Sequence, residues 1–312
     1  MLSRRSLMIA RAGIALAGLT VAQDARAQDL EPRAYAATPI GVHFVVAGGG
    51  RSSGGVVIDP SLPVEDVHAI VGAATVGGGT TFSLWGRTAL LAGAVPVARV
   101  RATGRVGEVA QEVTRLGLAD PRIKLSVNFL GGRALRPSEF AKSRTPTIVG
   151  ASVVVGPPLG EYFPDKLINL GANRWTFKPE VGISRAIRNW TVELYSGVWL
   201  FTANDTFYPG TSTRTQEPIL TLQAHVSYTV RPRLWVAFDA TWYRGGATTV
   251  DDVPKADLLR NSRAGATLSL PLKGNQSVKV AYSEGTTTRI GGDFTTVAVA
   301  WQLSWISAPR AP

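Results

Sequence analysis

The chain has 312 residues, 33 glycines, 8 tryptophans, no cysteine and a formal charge of +11 at pH 7. The lack of cysteine excludes a disulfide framework and a thiolate metal site, and after Gln28 no stretch approaches the roughly 18 consecutive apolar residues of a spanning helix. The positive charge would suit nucleic acid, but it is dispersed, no basic-aromatic run accompanies it, and the N-terminus is an export leader, so no nucleic-acid partner is expected.

Met1 to Gln28 has the form of that leader. Arg4, Arg5 and Arg11 make a basic start, Gly13 to Ala22 is a short apolar core, and Ala25-Arg26-Ala27 is a small-x-small cleavage site. Ser3-Arg4-Arg5-Ser6-Leu7 also resembles a twin-arginine signal, although paired arginines are common in basic leaders. Residues 1–27 are therefore expected to be a signal peptide and 28–312 one barrel domain. Cutting after Ala27 removes four Arg and one Asp, which lowers the charge from +11 to +8.

From there the chain alternates apolar and polar residues with period two, the spacing of a strand with two unlike faces. About twelve such stretches follow. They are Thr38–Gly48, Asp66–Phe82, Thr88–Val100, Leu118–Leu130, Pro146–Gly156, Arg174–Ala186, Trp190–Ala203, Pro218–Val230, Arg233–Arg244, Asn261–Leu272, Gln276–Gly285 and Asp293–Trp305. Around ten residues tilted near 45° cross a bilayer. The clearest pair is Pro218–Val230 with Arg233–Arg244. Leu220, Leu222, Val226 and Tyr228 share one parity with Val236, Phe238 and Trp242 after the turn, and Gln223, His225, Ser227 and Asp239 take the other.

Long polar connections (Gly49–Glu65, Arg101–Gly117, Pro157–Asn173, Asn204–Glu217, Gly245–Arg260) alternate with tight turns (Ser83–Arg87, Ile187–Asn189, Arg231-Pro232, Lys273–Asn275). Long loops on one side and short turns on the other describe an outer-membrane barrel. The even strand count puts both termini on the short-turn, periplasmic side. Gly131–Thr145 is the one long connection where a short one belongs, and Ser138–Lys142 is expected to form a helical turn there. A soluble sandwich shows the same alternation. Strand length, loop asymmetry and aromatic residues near strand ends (Trp175, Trp190, Tyr228, Trp242, Trp305) favour the membrane.

Several segments resemble a bacterial outer-membrane transporter family named for a meta-pathway of phenol degradation. They are Pro158-Leu159-Gly160-x-Tyr162, Leu167-Ile168-Asn169-Leu170-Gly171-x-Asn173-Arg174-Trp175-x-Phe177-Lys178-Pro179-Glu180-x-Gly182, Leu118-Ala119-Asp120-Pro121-Arg122, Asn261-Ser262-Arg263 and Gly291-Gly292-Asp293-Phe294. The resemblance covers nearly all of the mature chain and implies an outer-membrane β-barrel transporter or channel. Such barrels usually end on an aromatic residue read by the assembly machinery. Here Ser307–Pro312 follows the last strand, so that signal would be internal.

Four groups of residues invite chemistry. Ala47–Gly55 has the spacing G-x-G-x-x-S after a strand, but Ile58-Asp59-Pro60 follows where a helix should begin, so a flexible external loop is expected rather than a dinucleotide site. His225-Val226-Ser227 has the spacing of outer-membrane phospholipases. Val226 and Tyr228 hold the apolar parity, however, so His225 and Ser227 point into the lumen. His43 and His68 lie on other strands, and Asp251, Asp252 and Asp257 sit in one loop, so no metal site is expected. Lys178, Glu180, Glu193, His225, Asp239, Arg263 and Lys279 form the inward ionisable set, with Arg174 and Arg289 at the external mouth. These charges either pair across the lumen and prop it, or sort solutes as a selectivity lining; Trp199, Trp235 and Tyr243 are candidate stacking surfaces.

The expected protein is an all-β, transmembrane antiparallel barrel of about 12 strands, exported to the outer membrane of a Gram-negative bacterium. It would pass a small aromatic or anionic solute, without cofactor, metal or catalytic residue, in contact with outer-membrane lipid and the barrel assembly machinery. Two alternatives stand beside it: a lipid-acting barrel enzyme using His225 and Ser227, and a non-transporting structural or adhesive barrel.

Overall fold

The computed structural model describes residues 31–57, 64–106, 109–143 and 147–307. The expected signal peptide and the last five residues of the C-terminal tail lie outside this set. The barrel strands are β1 (Val42–Val57), β2 (Val64–Leu84), β3 (Arg87–Val106), β4 (Val109–Leu118), β5 (Arg122–Leu130), β6 (Thr147–Gly156), β7 (Thr176–Ile187) and β8 (Trp190–Phe201). After two short strands, β9 (Asn204–Phe207) and β10 (Ser212–Gln216), the wall resumes with β11 (Ile219–Arg231) and β12 (Leu234–Gly245). Two more short strands, β13 (Thr248–Val250) and β14 (Val253–Pro254), precede β15 (Leu259–Pro271), β16 (Gln276–Thr287) and β17 (Gly291–Ile306).

Every pairing is antiparallel, and the order β2-β1-β17-β16-β15-β12-β11-β8-β7-β6-β5-β3 closes on itself through β2–β3. The strand β4 continues β5 along the upper half of β3, pairing Val97–Val106 while β5 pairs Ala89–Ala94. The wall thus has twelve staves. Closure matters because hydrocarbon offers no hydrogen bonds, so each strand's N–H and C=O groups must be met by a neighbouring strand.

The alternation resolves as a membrane barrel requires. Val181, Val192, Leu194, Leu220, Val226 and Phe238 face outward and are exposed, whereas His225, Ser227, Thr221 and Thr241 face inward and are fully buried. Trp175, Trp190, Trp242 and Trp305 stand on the outer surface near strand ends. Trp190 meets Tyr228 edge-on across β8 and β11, with centroids 4.9 Å apart.

Two connections expected as loops are largely wall instead. The run Gly49–Gly55 stays in β1, paired with β17 on one side and β2 on the other. Glycine clusters usually mark turns, but in a strand they also mark close backbone approach. An added Cβ at Gly54 would run into the carbonyl oxygen of Asp293. Likewise Arg101–Val106 and Val109–Gly117 extend β3 and β4 as a tall hairpin. The stretches 204–217 and 245–260 are not bare loops either, since β14-β13-β10-β9 form a small sheet at the long-loop end. At the opposite end the expected helical turn is α1 (Pro137–Phe140), where Glu139 Oε2 accepts the Arg136 N–H at 2.9 Å.

The fourth stave breaks at Ala119-Asp120-Pro121, and β6 stops at Gly156. Beyond these points β4 has β3 on one side only. The folded segment 157–175 packs beside it. Glu161 N donates to Leu118 O at 2.8 Å and Gly171 N to Glu161 O at 2.7 Å. The Asp120 carboxylate accepts from Gly160 N and Ala172 N, both at 2.9 Å. Asp120→Ala would leave two backbone donors without their acceptor, at about 1–3 kcal/mol each where water cannot replace it. The expected outcome is faster proteolysis at Lys166 with the barrel intact on a heat-modifiability gel; an unchanged cleavage rate would show that Asp120 does not hold the segment.

Candidate functional site

The lumen holds a stretch of chain. Residues 31–40 precede β1 and run inside the barrel, with Tyr35 fully buried and Glu31 nearly so. Their contacts come from staves all around the wall. The Glu31 carboxylate receives Lys124 Nζ at 2.6 Å. The Arg33 amide donates to Glu193 Oε2 at 2.6 Å, while its guanidinium donates to Ser227 Oγ at 3.0 Å and Thr229 Oγ1 at 2.6 Å. The same guanidinium lies 4.6 Å from the Trp235 ring centroid. Ala34 N donates to the Tyr195 hydroxyl at 3.1 Å. The Tyr35 hydroxyl meets Ser152 at 3.0 Å and donates to Glu180 at 3.1 Å, and its ring sits edge-on against Tyr195. Lower down, Thr81 Oγ1 donates to Pro39 O at 2.7 Å. The segment crosses the bore as a plug fixed by side-chain bonds.

Around it, period two on each strand sends alternate polar residues inward, and register sets which of them meet. Lys178 pairs with Glu180 Oε2 at 2.8 Å, and Gln223 Nε2 donates to the same oxygen at 3.2 Å. His225 is opposite Glu193 on β8 and Asp239 on β12. Its Nδ1 lies 2.6 Å from Asp239 Oδ1, and Thr267 Oγ1 donates to Asp239 Oδ2 at 3.0 Å. Lys279 stands 5.6 Å from the Trp235 centroid. Arg263 donates to Ser283 and Thr296 through Nη2, and its Nε and Nη1 make no hydrogen bond. The charges of the middle bore are thus mostly paired with each other or with the plug.

The His225, Asp239 and Ser227 grouping has the residue types of a nucleophilic triad. Its geometry does not serve one. All three are buried inside the wall, Ser227 Oγ is occupied by Arg33, and no acyl chain outside the barrel can reach it. Elsewhere His43 hydrogen-bonds Ser307 and stacks on Trp305, while His68 is exposed on the outer side of β2. Asp257 accepts from Thr248 N and Oγ1. Among the described residues no group of three metal-ligating side chains occurs.

Above the plug, at the long-loop end, lies a chamber of about 340 Å³. Tyr162, Phe201, Phe207, Ile219, Tyr243 and Leu259 supply apolar walls; Arg174, Arg214, Gln216 and Asn261 supply polar ones. Arg174 bonds Gln216 and lies 4.5 Å from the Phe201 centroid. Arg214 lies 5.2 Å from that of Phe207. Arg289 is exposed on the rim, donating to Leu258 O, and its neighbour Ile290 reaches the chamber instead.

The expected stacking surfaces divide. Tyr243 lines the chamber, but Trp199 and Trp235 are buried with their faces taken by cations: Arg122 and Lys178 on the first, Arg33 and Lys279 on the second. They are not open to a solute. The residues that sequence reasoning missed are those of the plug, Glu31, Arg33 and Tyr35, together with Lys124, Tyr195, Phe201, Phe207 and Arg214. Only Glu31, Arg33 and Tyr35 carried a signal. They stand at alternate positions among proline and alanine, in a run between a leader and a first strand.

Residues 47–299 match the sequence family described as "Putative MetA-pathway of phenol degradation". Among solved structures, the COG4313 outer membrane channel from Pseudomonas putida F1 superposes with a TM-score of 0.77 at 18% identity, covering 89% of this chain and 100% of that one. The β domain of the Bordetella autotransporter BrkA gives a TM-score of 0.51 at 11% identity, over 85% and 100% of the two chains. Both likenesses are of fold. No curated protein matches the sequence.

Proposed function

The chain belongs to the family described as "Putative MetA-pathway of phenol degradation", and from that premise we propose that it is an outer-membrane channel for small aromatic or anionic solutes, admitted through the chamber at its long-loop end. The observation that carries the choice of solute is the chamber itself. Its arginines lie against phenyl rings in a wall that mixes apolar side chains with Gln216, Asn261 and Asp257, so a flat ring and an attached negative charge would each find a partner at the two arginine–phenyl pairs. The likeness to an outer-membrane channel supports passage rather than catalysis.

The bore below is closed by residues 31–40, so passage requires that segment to move. Nothing covalent prevents it: the bonds holding Glu31, Arg33 and Tyr35 are hydrogen bonds and one ion pair, and lumenal water can replace them. A closed state of this kind exchanges with an open one at a population set by those bonds.

Charge sorting is expected to rest on Arg174 and Arg263 rather than Lys178, whose charge is met at 2.8 Å by Glu180. Replacing both by glutamate, Arg174→Glu with Arg263→Glu, is expected to lower the anion-to-cation permeability ratio several-fold in planar bilayers and to slow uptake of benzoate-type acids into liposomes. Lys178→Glu alone is expected to change selectivity much less. An unaltered ratio in the double variant, with the barrel correctly folded, would remove the arginines from the solute path.

A further inference from the structure

The outer wall carries a feature the solute path does not use. Arg244 on β12 and Arg260 on β15 are direct cross-strand partners. Both lie on the outward parity and are exposed. Directly opposed Cβ atoms stand about 4.5–5.5 Å apart, and like charges so placed repel each other. Among the described residues neither guanidinium has an ion-pair partner, unlike Arg101 and Arg105 on β3, which meet Glu112 and Asp66. Beside the pair the wall forms a groove of about 470 Å³, floored by Leu220, Leu222 and Trp242. The register explains its shape: Leu220 is opposite Arg244 and Leu222 opposite Trp242, so apolar side chains lie on the membrane side of the charges.

We propose that this groove binds a phosphorylated, multiply acylated glycolipid of the outer leaflet, with a phosphate between Arg244 and Arg260 and an acyl chain along Leu220, Leu222 and Trp242. Two adjacent guanidiniums match the charge of a phosphomonoester, about −1.5 to −2 near neutral pH, better than the single charge of a phospholipid diester. Arginine is also suited to paired N–H donation to phosphate oxygens. The apolar floor accounts for the chain, and the position at the long-loop end accounts for the leaflet. That leaflet assignment rests on the outer-membrane reading above, but lipid retention does not depend on solute flux, so the two can fail separately.

The test is native mass spectrometry of the full chain in detergent, titrated with diphosphoryl lipid A, with the same lipid stripped of phosphate, and with phosphatidylglycerol. Diphosphoryl lipid A is expected to be retained roughly tenfold more tightly than either of the others. Arg244→Gln with Arg260→Gln is expected to abolish that preference. Arg51→Gln with Arg99→Gln is the control: these exposed outward arginines flank Gly72 on the far side of the barrel and are expected to have no effect. Heat-modifiable migration confirms folding, and the three-lipid comparison on the unaltered chain decides the matter if the variant does not fold. Equal retention of stripped lipid, equal retention of phosphatidylglycerol, or an equal loss in the control pair would each overturn the proposal.

Discussion

Deleting Glu31–Ala37 is expected to raise single-channel conductance roughly tenfold, because a twelve-stranded bore is narrow and this segment occupies it. Barrel folding should survive the deletion. The wall's own hydrogen-bond ladder is closed without the segment, and the groups it leaves behind, Lys124, Glu180, Glu193 and Ser227, face a lumen that water then fills. A milder version keeps the chain length. Arg33→Ala with Tyr35→Ala removes the guanidinium bonds to Ser227 and Thr229 and the Tyr35 bonds to Ser152 and Glu180. Hydrogen bonds to charged groups contribute about 1.5–3 kcal/mol each. Losing even one shifts a closed-to-open equilibrium by about tenfold or more. The double variant should therefore show long open events where the unaltered chain shows brief ones. Liposome swelling with small sugars gives an independent readout, since neutral sugars carry no charge for the chamber's arginines to sort. If both variants fold and conduct like the unaltered chain, the segment is not the gate.

The second large effect concerns stability. Asp239→Ala is expected to lower the unfolding free energy by about 2–6 kcal/mol, since two buried groups lose their hydrogen-bond partner at about 1–3 kcal/mol each. His225 is fully buried, Asp239 Oδ1 is the hydrogen-bond partner of its Nδ1, and Thr267 would lose its acceptor as well. Replacing both members, His225→Leu with Asp239→Leu, should recover part of the loss, because the unpaired imidazole is then gone and only the Thr267 hydroxyl still lacks its acceptor. Denaturant unfolding in lipid vesicles measures both. A loss in Asp239→Ala no greater than that of an exposed change such as Thr286→Ala would show that the pair is solvated and contributes little. The same variants separate the structural role from the catalytic alternative, since a catalytic His225 would lose lipid hydrolysis without losing stability.

Some of the candidate site was legible in the residues. Inward parity placed Lys178, Glu180, Glu193, His225, Asp239, Arg263 and Lys279 in the lumen, since a strand reverses face at each step. Parity says nothing of partners. That His225 meets Asp239, or that Lys178 meets Glu180 rather than facing a solute, depends on which rows of neighbouring staves align. The chamber was harder still, because Phe207 and Arg214 come from a short sheet within a long connection. The glycine run at Gly48–Gly55 misled in the opposite direction, since the same residues suit a turn or a tightly paired strand and only the neighbours decide.

What the sequence determined by itself was the wall: twelve two-faced ribbons, long and short connections in alternation, greasy residues toward lipid and polar ones toward the bore. These are local consequences of side-chain period and length, readable one strand at a time. Only the tertiary structure decided that the bore is shut, and by what. The plug is a short segment rich in alanine and proline, and its place is set by Lys124, Ser152, Glu180, Glu193, Tyr195 and Ser227, which come together only when the barrel closes.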